Sequence, residues 1–176
     1  MKIIVVSDSH CERGMLLSLA EEIAMRGDID AIIHLGDVES DAKWLHERLN
    51  IPVYSVPGNC DFNLRDPAER VITLEGVPML LCHGHTLRVK YTLDSLAYRA
   101  EELGVKLALF GHTHLRCLRY EGRILLLNPG ALADGRYALL EFSVRLTKRQ
   151  AALRDQLLTR FYQGGMEPDT IDTVLA

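Results

Sequence analysis

The sequence predicts an α/β fold with two β-sheets packed face to face. Five apolar runs of strand length each end in a loop that carries polar residues, and amphipathic segments separate the first of these runs. Two turns, Glu75-Gly76 and Glu121-Gly122, separate pairs of apolar runs and predict β-hairpins. Strand-helix-strand units favour parallel pairing and hairpins are antiparallel, so the residues alone predict one partly parallel sheet and one antiparallel sheet.

The first half of the chain alternates predicted strands with predicted helices. Met15 to Met25 is amphipathic and stops at Gly27, and Ala42 to Leu49 is closed by Asn50, so both segments are expected to be helical. Three apolar runs flank these helices and predict parallel strands: Lys2 to Val6, Ala31 to Leu35 and Val53 to Val56. The carboxyl ends of parallel strands meet at one edge of a sheet, which is where ligands bind in open α/β folds.

The second half of the chain predicts mainly strands. Tyr91 to Leu103 is the one helical segment in this half, and it ends at Gly104. The predicted strands are the two runs within Val71 to Leu81, then Val105 to Phe110, Arg116 to Tyr120, Arg123 to Leu127 and Tyr137 to Leu146.

The tail from Thr147 onward predicts further helix. Leu153, Leu157, Leu158 and Phe161 recur at helical spacing after a possible cap at Thr147. We therefore expect a main domain over residues 1–146 and a C-terminal helical extension over residues 147–176. Such an extension packs on its own domain or forms a homo-oligomer contact.

Composition limits the class of protein. The 176 residues are 48% hydrophobic, which is enough for one sizeable core. No run approaches the ~20 apolar residues of a membrane span, and Met1-Lys2 leads directly into a strand, so we expect a cytoplasmic protein without membrane contact. The four cysteines lack Cys-X-X-Cys spacing, which argues against a zinc knuckle. A net charge of −4 without a basic stripe gives no strong nucleic-acid signal.

Metal-ligating residue types follow the predicted strands. Gly111 ends one strand and places His112 and His114 at its carboxyl end. Four further strand ends supply a carboxylate, an imidazole or an amide, and the residues are Asp8, His10, Asp37, Asn59 and His83. An isolated His-X-His pair is usually a pair of hydrogen-bonded loop residues, but five such strand ends in series favour a metal centre. Two divalent first-row ions roughly 3.5–4 Å apart can clamp the oxygens of a phosphate ester.

These motifs resemble those of the calcineurin-like metallophosphoesterase superfamily over residues 1 to about 145. The resemblance is carried by Asp8-Ser9-His10, Gly36-Asp37, Gly58-Asn59-Cys60-Asp61, His83 and Gly111-His112-Thr113-His114. It implies a four-layer α/β/β/α sandwich of two mixed sheets. It also implies a bridging Asp37, with Asp8, His10 and His114 on one metal and Asn59, His83 and His112 on the other.

The resemblance further implies two divalent ions, with manganese as the expected metal and iron, zinc, nickel or cobalt as alternatives. Two dications supply a charge of +4 and Asp8 and Asp37 remove two, so the cage remains cationic and attracts phosphate. We expect a metal-bridging hydroxide to attack a small phosphodiester. The alternatives are a phosphomonoesterase, a nuclease and a non-catalytic protein-binding scaffold of the same fold.

Cys60 departs from the common pattern of the superfamily, in which histidine follows the asparagine and serves the leaving group. A thiol is a poorer acid partner than imidazolium, so the general acid is in question. A Gly-Asn-Cys-Asp version resembles a compact phosphodiesterase subgroup of the family. The alternative is that Cys60 is a small buried thiol beside the site.

Two further histidines lie near the motifs. His85 is two residues beyond His83, so it can face the same way and contact a substrate phosphate or hydrogen-bond a ligand. His34 precedes Gly36-Asp37 and is expected either to hydrogen-bond behind the metal ligands or to be a satisfied core residue.

Overall fold

A computed structural model describes residues 1–62, 66–146, 153–163 and 169–174. Three α-helices occur in these residues, namely α1 (Arg13–Arg26), α2 (Glu39–Leu49) and α3 (Asp94–Glu102). The strands are β1 (Lys2–Val6), β2 (Ala31–His34), β3 (Val53–Ser55), β4 (Glu69–Leu74), β5 (Val77–Cys82), β6 (Leu107–Leu109), β7 (Cys117–Glu121), β8 (Ile124–Asn128), β9 (Arg136–Leu146), β10 (Leu153–Gln163) and β11 (Asp169–Val174). A 3₁₀ turn covers Leu132–Asp134.

The strands form two mixed sheets. The first has the order β11-β10-β9-β1-β2-β3, in which β1, β2 and β3 are parallel and β9 is antiparallel to β1. The second has the order β4-β5-β6-β8-β7, in which β6 is parallel to both β5 and β8. The mixed second sheet corrects the expectation of an antiparallel one, because β6 lies between the two predicted hairpins and pairs with a strand of each.

The two sheets and the helices on their outer faces form four layers, and the alternating side chains of β1 contact two of the cores between them. Ile3 and Val5 are fully buried in a core shared with the second sheet. Ile4 and Val6 point to the opposite face, where the side chains of α1 and α2 cover the first sheet. A third cluster packs α3 on the outer face of the second sheet. The expected α/β/β/α sandwich is therefore confirmed.

The described part of the tail is not helical, so the predicted helix over that part is wrong. β10 pairs with β9 through 11 residue pairs, from Leu153 with Leu146 to Gln163 with Arg136, and β11 pairs with β10. This long ladder satisfies the backbone and overrides a helical spacing of leucines that is only a weak local signal. The tail residues 147–152, 164–168 and 175–176 lie outside the described residues, and the division of the chain at residue 146 stays a prediction.

No helix among the described residues has both the length and the apolar character needed to cross a lipid bilayer.

Candidate metal centre

The candidate ligands lie together at the carboxyl ends of strands from both sheets. Asp8 and His10 follow β1, Asp37 follows β2 and Asn59 follows β3 in the first sheet. His83 follows β5, and His112 and His114 follow β6, in the second sheet. The two sheets therefore face each other with their ligand-bearing edges aligned.

One group of donor atoms consists of Asp8, His10 and His114. Their ligand atoms lie within 4.8 Å of one another. His114 Nε2 is 3.2 Å from Asp8 Oδ1, and His10 Nε2 is 3.3 Å from His114 Nε2. Two imidazole nitrogens and a carboxylate that converge in this way match the ligand preference of a divalent first-row metal.

A second group consists of Asp8, Asp37 and His83, again within 4.8 Å of one another. His83 Nε2 is 3.4 Å from Asp37 Oδ2 and 3.2 Å from Asn59 Oδ1. The ring of His112 lies next to His83, with 5.0 Å between the ring centroids. Asp37 also lies near the first group, because its Oδ2 is 3.9 Å from His10 Nε2.

Burial and hydrogen bonding show that this donor set fits a cation. Asp8 is fully buried, and its Oδ1 has no hydrogen-bond partner among the described residues. A buried carboxylate oxygen without a partner is costly, and a positive charge would offset that cost. The nitrogen His83 Nδ1 donates to the carbonyl oxygen of Leu35 at 2.7 Å, which turns Nε2 towards the carboxylates. This is the usual way in which a metal-binding imidazole is oriented.

The environment sets the charge of several of these groups. Burial would raise the pKa of Asp37, but hydrogen bonds with His83 and from the backbone N–H of Cys60 outweigh it and lower the pKa below its ordinary value. Burial, together with the positive charges of His83 and Lys90, lowers the pKa of His112 to about 4. The His112 ring is therefore neutral at pH 7, which is the form that binds a metal.

Five of the candidate ligands have left-handed backbone conformations. The φ angles of this set lie between 46° and 67°, and its members are Asp8, His10, Asp37, His112 and His114. Positive φ is uncommon for residues other than glycine, and such residues cluster at functional sites. The sharp turns direct the side chains of successive strand ends towards one point.

Asp61 holds together two of the loops that carry the candidate ligands. Asp61 accepts hydrogen bonds from the backbone N–H groups of Val38, Glu39 and Gly58. Its carboxylate therefore joins the loop of Asn59 to the loop of Asp37. The sequence contains Asp61 within the quoted motif, but the residue has no role in the sequence-based prediction.

Asn128 holds the histidine loop. Its Nδ2 donates to the carbonyl oxygen of Gly111 at 2.8 Å and to Thr113 Oγ1 at 3.1 Å. Its Oδ1 accepts a hydrogen bond from the backbone N–H of Gly130. A fully buried amide thus fixes the residues on either side of His112.

Cys60 and His85 lie at the margin of the centre. Cys60 is exposed, so its interpretation as a buried thiol is wrong. Its Sγ lies within 4.8 Å of ligand atoms of His10 and Asp37, and burial together with the charge of Asp37 raises the pKa of the thiol. His85 lies 5.5 Å from His83 between ring centroids, and burial together with the charge of His83 lowers the pKa of its ring.

Comparison with known proteins identifies the family. The profile of the calcineurin-like phosphoesterase superfamily domain matches residues 1–148. A probable metallophosphoesterase of Bacillus subtilis, YsnB, is 34% identical over 171 residues, which cover 95% of this chain and 94% of that protein.

Solved structures show the same fold. A predicted phosphoesterase from Streptococcus pneumoniae has a TM-score of 0.75 at 26% identity, covering 98% of this chain and 97% of that one. The wild-type Vps29 of Entamoeba histolytica complexed with zinc has a TM-score of 0.73 at 19% identity, with full coverage of both chains. An archaeal phosphodiesterase has a TM-score of 0.65 at 20% identity, covering 90% of this chain and 100% of that one. The profile match over residues 1–148 and the 34% identity with the Bacillus subtilis protein show that the chain belongs to the calcineurin-like phosphoesterase superfamily.

Proposed function

We propose that this chain is a dinuclear metal-dependent phosphodiesterase that hydrolyses small phosphodiesters. The observation that carries the proposal is the pair of buried carboxylates, Asp8 and Asp37, set among imidazoles from both sheets. One carboxylate oxygen, Asp8 Oδ1, lies 3.2 Å from His114 Nε2 but has no hydrogen-bond partner among the described residues, so a bound cation would offset the cost of burying it.

The proposed ligand assignment is the one that the resemblance to the superfamily implies, and the donor groups at His10 and His114 and at Asp37 and His83 support it. Asp8, His10 and His114 hold one divalent ion, Asn59, His83 and His112 hold the other, and Asp37 serves both. Manganese is the proposed metal, with iron, zinc, nickel or cobalt as alternatives, because imidazole and carboxylate donors accept all of these ions.

The residues of the chain divide the remaining tasks. When bound, the two ions supply a Lewis-acidic centre that makes water a nucleophile near neutral pH and neutralises phosphate charge. Asp37 stays ionised near neutral pH, because hydrogen bonds with His83 and Cys60 lower the pKa of its carboxyl below the ordinary value. His112 supplies a neutral ring, and the Leu35 carbonyl fixes the tautomer of His83.

Cys60 and His85 are proposed to contact the substrate rather than to hold metal. Both lie beside the donor groups, and the resemblance of Gly58-Asn59-Cys60-Asp61 to the family motif implies that Cys60 stands where many members have a histidine that serves the leaving group. Raising the pKa of the thiol keeps it protonated and able to donate a hydrogen bond. The lowered pKa of His85 favours a neutral ring, which suits hydrogen bonding to a hydroxyl more than proton donation.

The first experiment measures metal content and hydrolysis together. Purified protein loaded with Mn²⁺ is expected to contain two ions per chain and to hydrolyse bis(p-nitrophenyl) phosphate faster than p-nitrophenyl phosphate. Asp37→Asn is expected to lose metal and turnover, whereas His112→Ala and His114→Ala each empty one site preferentially. His46→Ala is the matched control, because His46 is an exposed histidine on α2 whose ring hydrogen-bonds the carbonyl of Ile51 and contacts none of the candidate ligands among the described residues.

The outcomes separate the alternatives. Faster hydrolysis of the monoester would make the chain a phosphomonoesterase, and salt-sensitive binding and cleavage of an oligonucleotide would make it a nuclease. A protein that binds no metal and cleaves no phosphate ester would be a non-catalytic protein-binding scaffold of the same fold.

We also propose that the chain self-associates through its tail. The contact would be made by a strand instead of the helices predicted from the sequence. Among the described strands, the tail supplies β11 at the edge of the first sheet, and an open strand edge can pair with a second copy. Light scattering on the full chain tests this, since a monomer at all concentrations would overturn it.

A further inference from the structure

Three polar side chains are buried directly behind the metal centre. Ser9, His34 and Asp41 are each at most 2% exposed. Ser9 Oγ lies 2.7 Å from Asp41 Oδ2 and 3.3 Å from His34 Nε2. They form a connected hydrogen-bonded relay next to the turns that carry Asp8, His10 and Asp37.

The hydrogen-bond directions in this relay follow from its fixed donors. The backbone N–H of Gly36 donates to His34 Nδ1 at 3.3 Å, so that nitrogen is an acceptor and the proton lies on Nε2. Nε2 then donates to Ser9 Oγ, and the hydroxyl proton of Ser9 is free for the Asp41 carboxylate. Burial lowers the pKa of His34 to about 4, in keeping with a neutral ring.

Each member of the relay belongs to a different structural element. Ser9 lies between Asp8 and His10 in the turn after β1. His34 is the last residue of β2, and Asp41 lies in the first turn of α2, where the helix dipole favours a negative charge. Ser9 Oγ is also 3.2 Å from the carbonyl oxygen of Asp37. The relay therefore joins the turn that carries Asp8 and His10 to the turn that carries Asp37.

Folding alone does not account for three buried polar groups at this place. Apolar side chains of similar volume would fill the space at equal or lower free-energy cost, because burying an ion and its partners is expensive. The two turns, however, hold the like-charged Asp8 and Asp37 in one donor group and have left-handed backbones. Both features oppose the observed geometry, so the turns need a restraint.

We propose that Ser9, His34 and Asp41 are positioning residues that lock the turns of Asp8 and Asp37 together and thereby set the affinity of the centre for metal. The inference rests on the proposed function, since it assumes that these turns hold metal. It adds a determinant of affinity that contacts neither metal nor substrate.

The test compares Mn²⁺ affinity with the stability of the metal-free protein. Full-length protein is stripped with a chelator and titrated with Mn²⁺ by calorimetry, and each stripped variant is melted. Ser9→Ala and His34→Leu are expected to weaken Mn²⁺ binding by roughly 10- to 100-fold, as loss of groups that orient ligands usually does. His34→Gln retains a donor towards Ser9 and is expected to recover part of the affinity.

Ser7→Ala is the matched control. Ser7 is equally buried and two residues away in the same turn, but among the described residues its hydroxyl contacts the Leu35 carbonyl, at 3.5 Å, and neither His34 nor Asp41. Its Mn²⁺ affinity is expected to equal that of the wild type. If Ser9→Ala weakens Mn²⁺ binding and the equally buried Ser7→Ala does not, the hydrogen bonds of Ser9 account for the loss, which supports its role as a positioning residue.

Unchanged Mn²⁺ affinity in folded Ser9→Ala and His34→Leu proteins would overturn the inference and leave the proposed function intact. An equal loss in Ser7→Ala, or a loss that tracks a lower melting temperature, would also overturn it. If Ser9→Ala fails to fold, His34→Leu is compared with His34→Gln. Weaker Mn²⁺ binding in His34→Leu than in His34→Gln would support the inference, and equal binding would overturn it. Absence of metal binding in the wild type would overturn the proposed function and this inference with it.

Discussion

The carboxylate of Asp61 accepts a hydrogen bond from the backbone N–H of Glu39 at 2.7 Å, and so caps the first turn of α2 from another loop. The same carboxylate accepts from Gly58 at 2.7 Å. Asp61→Ala would leave these N–H groups without their partner. We expect a loss of about 1–3 kcal/mol in the free energy of unfolding, measured by urea denaturation of metal-free protein.

The control for Asp61 is Glu47→Ala. Glu47 is an exposed acid on the same helix, and its 3.8 Å pair with Lys43 is a surface contact of little weight. A change in unfolding free energy as large as that of Asp61→Ala would contradict the capping role of Asp61.

Gly58 lies too close to Asp37 for any side chain. A Cβ at position 58 would overlap Asp37 Oδ1 and the backbone nitrogen of Asp37. Gly58→Ala is therefore expected to displace the loop and to abolish tight Mn²⁺ binding, as measured by calorimetry. Gly14→Ala is the matched control, because a Cβ there meets nothing within 4 Å and the residue lies inside α1, where alanine stabilises the helix by up to about 1 kcal/mol.

Cys60→His is expected to change the dependence of rate on the leaving group more than it changes metal content. An imidazolium is a stronger acid than a thiol, so diesters with poor leaving groups should gain most. The rates of a series of aryl diesters and the metal content of the same preparations are the measurements. Loss of metal in the variant would instead give Cys60 a structural or ligand role beside its neighbours His10 and Asp37.

Substitution of Thr159, which lies on β10 and is not a candidate ligand, is expected to raise the free energy of unfolding. Thr159 is fully buried in β10, and its Oγ1 has no hydrogen-bond partner among the described residues. Thr159→Val keeps the shape and removes the unsatisfied hydroxyl, so the free energy of unfolding is expected to rise by about 1 kcal/mol. Thr92→Val should instead lower stability, because Thr92 Oγ1 accepts the backbone N–H of Asp94 at the start of α3.

The sequence was sufficient to predict most of the sandwich because its strands are short, apolar and followed by turn residues. α1 and α2 begin two or three residues before the predicted starts, at Arg13 and Glu39, where polar residues conceal the first turn. β10 was out of reach, because its leucines fit a helix and its pairing with β9 is a long-range contact that no local spacing reveals.

The candidate ligands were predictable because metal-binding residue types stand out at strand ends. The residues that hold them were not. Ser9, Asp41 and Asp61 are common types in turns and at helix starts, and their roles depend on hydrogen bonds between segments about 20 to 30 residues apart. For His34 the prediction was partial. Its place before Gly36-Asp37 indicated a hydrogen-bonding role behind the ligands, but its partner Ser9 could not be predicted.

His10 and His114 are separated by 104 positions along the chain and approach to 3.3 Å only when β1 and β6 have docked. A folding intermediate with one formed sheet would hold only four or three of the seven candidate ligands, so the complete cage arises late, after the slow long-range contacts are made. Metal uptake would then report the completion of tertiary structure. By mass action, occupancy would also favour the fully assembled molecule over every partly folded state that lacks the second sheet.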